Sequence, residues 1–194
     1  MLDQATALLA LWNDVDPALD ARYNDWHANE HVPERLTVPG ILWGLRYGRA
    51  STAGAPRYLT LYGLRDAGVL DTEPYQRLLR EPTPMSRTMR PALRNVSRWV
   101  CRLHEQAGVD RGDRLAVWCL ANDMAAARAA SDALANAPGV LGRLLAERLT
   151  NASPLPWLQA DQDHGIDGNW LLCAALDERH APADAALHVR LPVG

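Results

Sequence analysis

The chain has no lysine and no phenylalanine. All twenty of its basic side chains are therefore arginine, and its aromatic rings come from seven Trp and five Tyr. Such a bias fits a GC-rich coding sequence and is given no functional meaning. Runs of like charge are missing too. The arginines are scattered singly, and a net charge of −3 argues against a nucleic-acid partner. Only three cysteines are present, Cys101, Cys119 and Cys173, far apart and each in an apolar run. That pattern fits buried thiols in a reducing compartment, not disulfides or a zinc knuckle. No apolar run approaches the roughly 20 residues of a membrane span, so no membrane partner is expected. The opening stretch MLDQATALLALWNDVD has no basic n-region and reads as a strand, not a signal peptide, which makes a cytoplasmic protein the expectation. There is no G-x-G-x-x-G, P-loop, G-x-S-x-G or C-x-x-C, so nucleotide cofactors, serine hydrolysis and iron–sulfur chemistry find no support.

What the chain does have is a plan written twice. Ala7–Asp14 reads ALLALWND and Leu115–Asp123 reads LAVWCLAND. Each is followed by a helical pattern and then by Pro-Gly, at Pro39-Gly40 and Pro138-Gly139. Later, RYLTLYGLRD at 57–66 and NWLLCAALDE at 169–178 are apolar strands ending in charge. The first half predicts βαββαβ: strands at 6–13, 41–49, 57–64 and 97–104, and a second helix opening at Asp71. The second half predicts βαββ, a shrunken helix at 182–187 and a last strand at 187–193. Residues 105–114 read as a linker between units 1–104 and 115–194, and 150–168 as an irregular loop. A four-stranded sheet with helices on one face leaves the other face bare. Two tandem ferredoxin-like units can cover each other, giving an α+β pseudo-dimeric α/β barrel within one chain. Pairing of each unit with another chain, in a homodimer, is the alternative.

The stretch WHANEHVPERLTVPG at 26–40 carries the chemistry. Read literally, His27, Glu30 and His31 fit H-x-x-E-H, the inverted zinc-peptidase pattern. Pro33 disfavours helix at Val32, so the helix is expected to end near His31, and no metal is assigned to the pair. Leu19, Tyr23, Trp26 and Glu30 share one face of that helix, and His27 falls on the solvated side. At a helix C-terminus beside a carboxylate, His31 is a candidate proton-transfer group whose charged form is favoured. Capping of the helix by His31 is the structural alternative. Glu30 would need a partner, and Arg35 or Arg46 is available. Tyr58, Thr60 and Tyr62 share one strand face that could line a barrel cavity.

Trp26-x-x-x-Glu30-His31-Val-Pro33 followed by Pro39-Gly40 resembles the dimeric α/β-barrel superfamily, and its EthD-like branch in particular. Leu45-Arg46-Tyr47, Tyr58-Leu59-x-Leu61-Tyr62 and Tyr75 with Pro82-Thr83-Pro84 extend the resemblance over residues 6–104. It departs from the pattern at Met85, where an aromatic wall is expected. The second half runs ASDALANAPG straight from helix to turn and lacks the Glu-His-x-Pro segment, like a copy that kept the scaffold and lost the site. The resemblance implies an enzyme that needs no cofactor and acts on a small apolar or aromatic compound by His-mediated proton transfer. Oxygenase, dehydratase and cyclase classes all fit. His31 and Glu30 would be catalytic, with Trp26, Arg46, Tyr58 and Tyr62 holding the substrate. The alternative is a non-catalytic ligand-binding or assembly protein on the same barrel.

Overall fold

The computed structural model describes residues 4–49, 56–108, 112–162, 164–180 and 184–194. Eight strands close into one barrel: β1 (Ala7–Val15), β2 (Ile41–Gly48), β3 (Tyr58–Leu64), β4 (Leu93–Gly108), β5 (Arg114–Leu120), β6 (Val140–Arg148), β7 (Trp170–Leu176) and β8 (Ala186–Leu191). Their order around the barrel is β1-β3-β2-β8-β5-β7-β6-β4. Cut at its two seams, this is β4-β1-β3-β2 joined to β8-β5-β7-β6, one ferredoxin-like order used twice. The tandem pseudo-dimeric barrel expected from the sequence is therefore the fold, and each half covers the other's bare face.

Details repeat as well. Ile41 N–H donates to Val38 O at 3.0 Å and Val140 N–H to Ala137 O at 3.2 Å, closing turns with Pro at the second position and Gly at the third. Gly40 and Gly139 have φ of 99° and 75°, which side chains with a Cβ rarely adopt. A bulge follows each turn, between Ile41 and Trp43 and between Val140 and Gly142.

Period-two alternation sends Leu8, Ala10 and Trp12 of β1 into the barrel with Leu45, Tyr47, Leu59, Leu61, Trp99, Leu115, Val117 and Leu171. Trp12 meets Trp99 edge-on at 5.5 Å. The interior is filled by side chains, as in other small barrels. Cys101 and Cys173 are buried and Cys119 half-buried, all as free thiols. Burial pushes the Cys101 and Cys119 thiols up to about 12, which leaves little thiolate to react.

Outside the first half's sheet lies helix α1, built from Asp20–Trp26, His27–His31 and Val32–Leu36. Helices α2 (Glu73–Arg80) and α3 (Pro84–Met89) follow β3, and α4 (Met124–Ala135) is the helix of the second half. Three expectations change. Glu105–Gly108 belong to β4 and Arg114 to β5, so half of the expected linker at 105–114 is strand, with 109–111 outside the described residues. The helix expected at 182–187 is not seen: Ala186 already starts β8, and 182–183 lie outside the described residues. Finally, Pro33 does not end the first helix. Among the described residues, no helix is long and apolar enough to cross a membrane.

Candidate functional site

Pro33 has no N–H to give and its ring crowds the carbonyl one turn back. The helix accommodates it by widening one turn. His27–His31 is a π-helical turn in which Val32 N–H reaches back five residues to His27 O. Val32 N–H is thereby diverted from Ala28 O, its partner in a regular α-helix. Ala28 O accepts instead from Gly194 N–H at 3.1 Å, which ties the last strand's extension to the wide turn. Such π-turns are found disproportionately at functional sites. Here the turn covers the HANEH segment itself.

The wide turn stacks the two imidazoles. His27 and His31 ring centroids are 4.9 Å apart at 30°. Tyr23 lies 5.1 Å from His27, and Trp26 lies 4.6 Å from His31. His27 is only 5% exposed, so the solvated-face reading of this residue is overturned. It sits four residues after Tyr23, on the same inward face, and that spacing was the available signal.

The electrostatics also reverse the expectation. The helix does not end at His31, so the carbonyl end that favours an imidazolium lies further on, after Leu36. Burial, then Arg46 and Arg35, holds His27 well below the ordinary histidine range. Burial, then Arg35, His27, Arg90 and Arg46, does the same to His31. Both rings are therefore neutral at pH 7. Each keeps its Nδ1 buried and without a hydrogen-bond partner among the described residues.

Around these rings lies a cavity of about 40 Å³, lined by Trp12, Asn13, Tyr23, Trp26, His27, His31, Arg90, Leu93, Val96 and Trp157 with Leu11. Tyr23 Oη donates to Asn13 Oδ1 at 3.0 Å. Arg90 donates to Leu79 O at 2.9 Å and Leu78 O at 3.0 Å, and its guanidinium sits 5.3 Å from the Trp157 ring centroid. Arg90 Nε and Trp157 Nε1 are both buried and unpartnered among the described residues. Two orphan donors and two orphan ring nitrogens thus belong to residues lining one cavity. Buried polar groups are normally satisfied, and a cluster of exceptions calls for an explanation.

The expected site residues divide. Trp26 and His31 line this cavity. Glu30 does not pair with Arg35, Arg46 or His31: its carboxylate accepts from Thr83 Oγ1. Thr83 Oγ1 in turn caps α3 by accepting from Ser86 N–H at 3.1 Å, and Trp26 Nε1 donates to Ser86 Oγ at 3.3 Å. Glu30 and Trp26 together clasp the start of α3. Tyr58 and Tyr62 face the helix layer, not the barrel interior, because Leu59 and Leu61 take the inner positions. Tyr62 packs with Val32 and Val69 and keeps a buried hydroxyl that has no hydrogen-bond partner among the described residues. Arg46 and Tyr58 line a different and larger groove, described below. Sequence reasoning missed His27, Arg90 and Trp157. The last two come from far along the chain, and only a Trp in an otherwise polar loop hints at Trp157.

Strand order, paired seams and a pocket between sheet and helix define a dimeric-α/β-barrel fold made from one chain. No protein-family model matches the sequence, and no curated protein matches it either. Solved structures do match. An anthrone oxidase-like protein is 12% identical with a TM-score of 0.59, over 94% of this chain and 80% of that one. A provisionally assigned chlorite dismutase is 11% identical with a TM-score of 0.54, over 95% and 94%. A provisionally assigned monooxygenase from Lactobacillus acidophilus is 12% identical with a TM-score of 0.50, over 96% and 93%. At such identities the likeness shows the fold alone.

Proposed function

We propose that this chain is a small-molecule enzyme on an EthD-like barrel, in which His31 transfers a proton to or from an apolar or aromatic compound without a cofactor. The observation that carries this reading is the cavity with its four unpartnered polar atoms. A neutral, unpartnered imidazole nitrogen is free to accept a proton, but burial and the neighbouring arginines make His31 a weak base, so the substrate's C–H or O–H must be acidic and its anion stabilised at the same time. The anion left behind faces Arg90 Nε–H and Trp157 Nε1–H, the two free donors. His27 stacks on His31 and fixes its plane. Trp26 walls the pocket, and Glu30 acts through its clasp on Thr83, as a positioning residue. Tyr62 supplies a second phenol in the layer behind the histidines. Oxygenation, dehydration and cyclisation all begin with such a proton transfer, and the oxidase-like and monooxygenase neighbours favour the first.

The second reading is a non-catalytic ligand-binding or assembly protein on the same barrel, and one observation weighs against catalysis in this cavity as it stands. The cavity of about 40 Å³ is far below the roughly 300–1,000 Å³ of ordinary ligand sites, and the barrel is filled. Catalysis or ligand binding at this place therefore requires the cavity to widen. Anthrone in D₂O separates the two. Proton NMR is expected to show protein-accelerated exchange of its ring methylene, or its consumption in air. His31→Ala should slow either by about 10²–10⁴-fold while the circular dichroism spectrum stays unchanged. Saturable binding without accelerated exchange selects the binding reading.

A further inference from the structure

A groove of about 640 Å³ lies on the other side of α1 from the histidine cavity, where β2 of the first half meets β8 of the second. Its size falls within the range of small-molecule sites. Val189, Leu191 and Pro192 form one side and Ala28 and Asn29 of α1 the other. Val189 is half exposed, at 50%. It is bare because no helix follows β7 among the described residues. One end is cationic, with Arg46 and Arg57 beside the Tyr58 hydroxyl.

Arg46 is the unusual member. It is 2% exposed, yet among the described residues it pairs with no carboxylate. Its Nη1 donates to Pro192 O at 2.8 Å and its Nη2 to Asn24 Oδ1 at 2.9 Å, both neutral acceptors. Burying a guanidinium with no counter-charge is unfavourable. The nearby acids are committed elsewhere. Asp20 Oδ1 accepts from Tyr58 Oη at 2.5 Å and from Arg57 Nη1 at 2.9 Å. Asp25 accepts from Asn29 Nδ2 at 2.9 Å. An incoming carboxylate that displaces the Asn24 side chain, itself on the groove wall, would give Arg46 the charged partner it lacks.

We propose that this groove binds a small amphipathic carboxylate, its acid group on Arg46 and Arg57 and its apolar body along Val189, Leu191 and Pro192. The site is separate from the histidine cavity and does not depend on the reaction proposed for it.

Calorimetric titration of the full chain with 1-naphthoate and with the neutral 1-naphthalenemethanol tests this. Naphthoate should bind one-to-one and at least about tenfold more tightly than the alcohol, because its acid group makes charge-assisted hydrogen bonds. Val189→Asp, at an exposed position that leaves folding intact, should abolish binding. Arg57→Gln should weaken it several-fold. His31→Ala and Trp157→Ala should leave it unchanged, which keeps this site's failure distinct from failure of the histidine reaction. Absence of saturable binding overturns the proposal, as does equal affinity for acid and alcohol. So does binding that survives Val189→Asp or is lost on Trp157→Ala.

Discussion

Helix α1 turns Tyr23, Trp26, His27, Val32 and Arg35 inward, whereas α4 buries Ala127 and Ser131. Both helices follow the first strand of their half and lead into a Pro-Gly turn. In the second half, small alanines pack beside Leu145, Trp170 and Leu172, and the inward polar group is satisfied. Ser131 Oγ donates to Glu105 at 2.8 Å and accepts from Arg143 Nε at 3.1 Å. Around the first half's helix, the imidazole and guanidinium nitrogens of His27, His31 and Arg90 and the indole nitrogen of Trp157, which the second half contributes, stay unpaired among the described residues and belong to residues lining one cavity. The same scaffold thus carries one closed polar network and one open one. Proteins tend to leave such local conflicts where function uses them.

Four measurements sharpen or break this contrast. The largest effect belongs to Trp26→Ala, which empties the space between α1 and α3. It should cost about 3–5 kcal/mol in urea unfolding. A loss below about 1 kcal/mol would mean that packing does not hold α1 in place. Acid stability comes next. His27 and His31 are held below their unfolded value of about 6.5, so the unfolded chain takes up protons first as the pH falls. Stability present above pH 6.5 should therefore drop below it, by up to about 1.4 kcal/mol per pH unit for each histidine. In the second half His188, lowered by burial to about 4, adds its own share between about pH 6.5 and 4. The double variant His27→Gln/His31→Gln should flatten the profile. An unchanged slope would assign the acid sensitivity to His188 alone.

Smaller effects concern the supports. Thr83→Val removes both the α3 cap and the Glu30 clasp, a device without a counterpart among the described residues of the second half, and should cost about 1–2 kcal/mol in thermal unfolding. The smallest difference is between Gly40→Ala and Gly139→Ala. Both place a Cβ at positive φ, a cost of about 1–2 kcal/mol. At Gly40 the new atom would also lie 2.6 Å from Cγ2 of buried Val69. At Gly139 it would lie 2.1 Å from His180 Nδ1 and 2.7 Å from its Cβ, and rotating the ring alone does not clear the Cβ. Gly139→Ala should therefore cost at least as much as Gly40→Ala, and a smaller cost at Gly139 would show that the half-exposed segment around His180 yields where the buried Val69 does not.

The barrel was legible because it rests on local signals. Alternating strands, the two Pro-Gly turns and their order set the topology without long-range information. Alternation also paired Tyr58 with Tyr62 on one face. It could not say which face was inward, and Asp20 and Asn24 decide that by partnering the Tyr58 hydroxyl from the helix side. The helix break at Pro33 was misjudged for a different reason. The bias of Pro33 against helical geometry at Val32 was read as an ending, when Val32 keeps that geometry (φ −68°, ψ −47°) and one longer hydrogen bond from its N–H is enough to continue. Glu30 looked like a charge partner for histidine because they adjoin in sequence, but neighbours in a helix point about 100° apart. Its true partner, Thr83, lies 53 residues on.

Two seams join the halves, and they are unequal. β4 pairs with β6 from Cys101 opposite Arg148 to Gly108 opposite Gly142. Among the described residues, β2 pairs with β8 only at Arg46, Tyr47 and Gly48. In a barrel made of two identical chains, the twofold axis would make these the same interface, and any change to one would be imposed on the other. A single chain is free of that constraint. One seam has become the permanent weld, and the short one is the place where the barrel can breathe, so the amides of Gly48 and Val189 should be among the first strand amides to exchange with solvent.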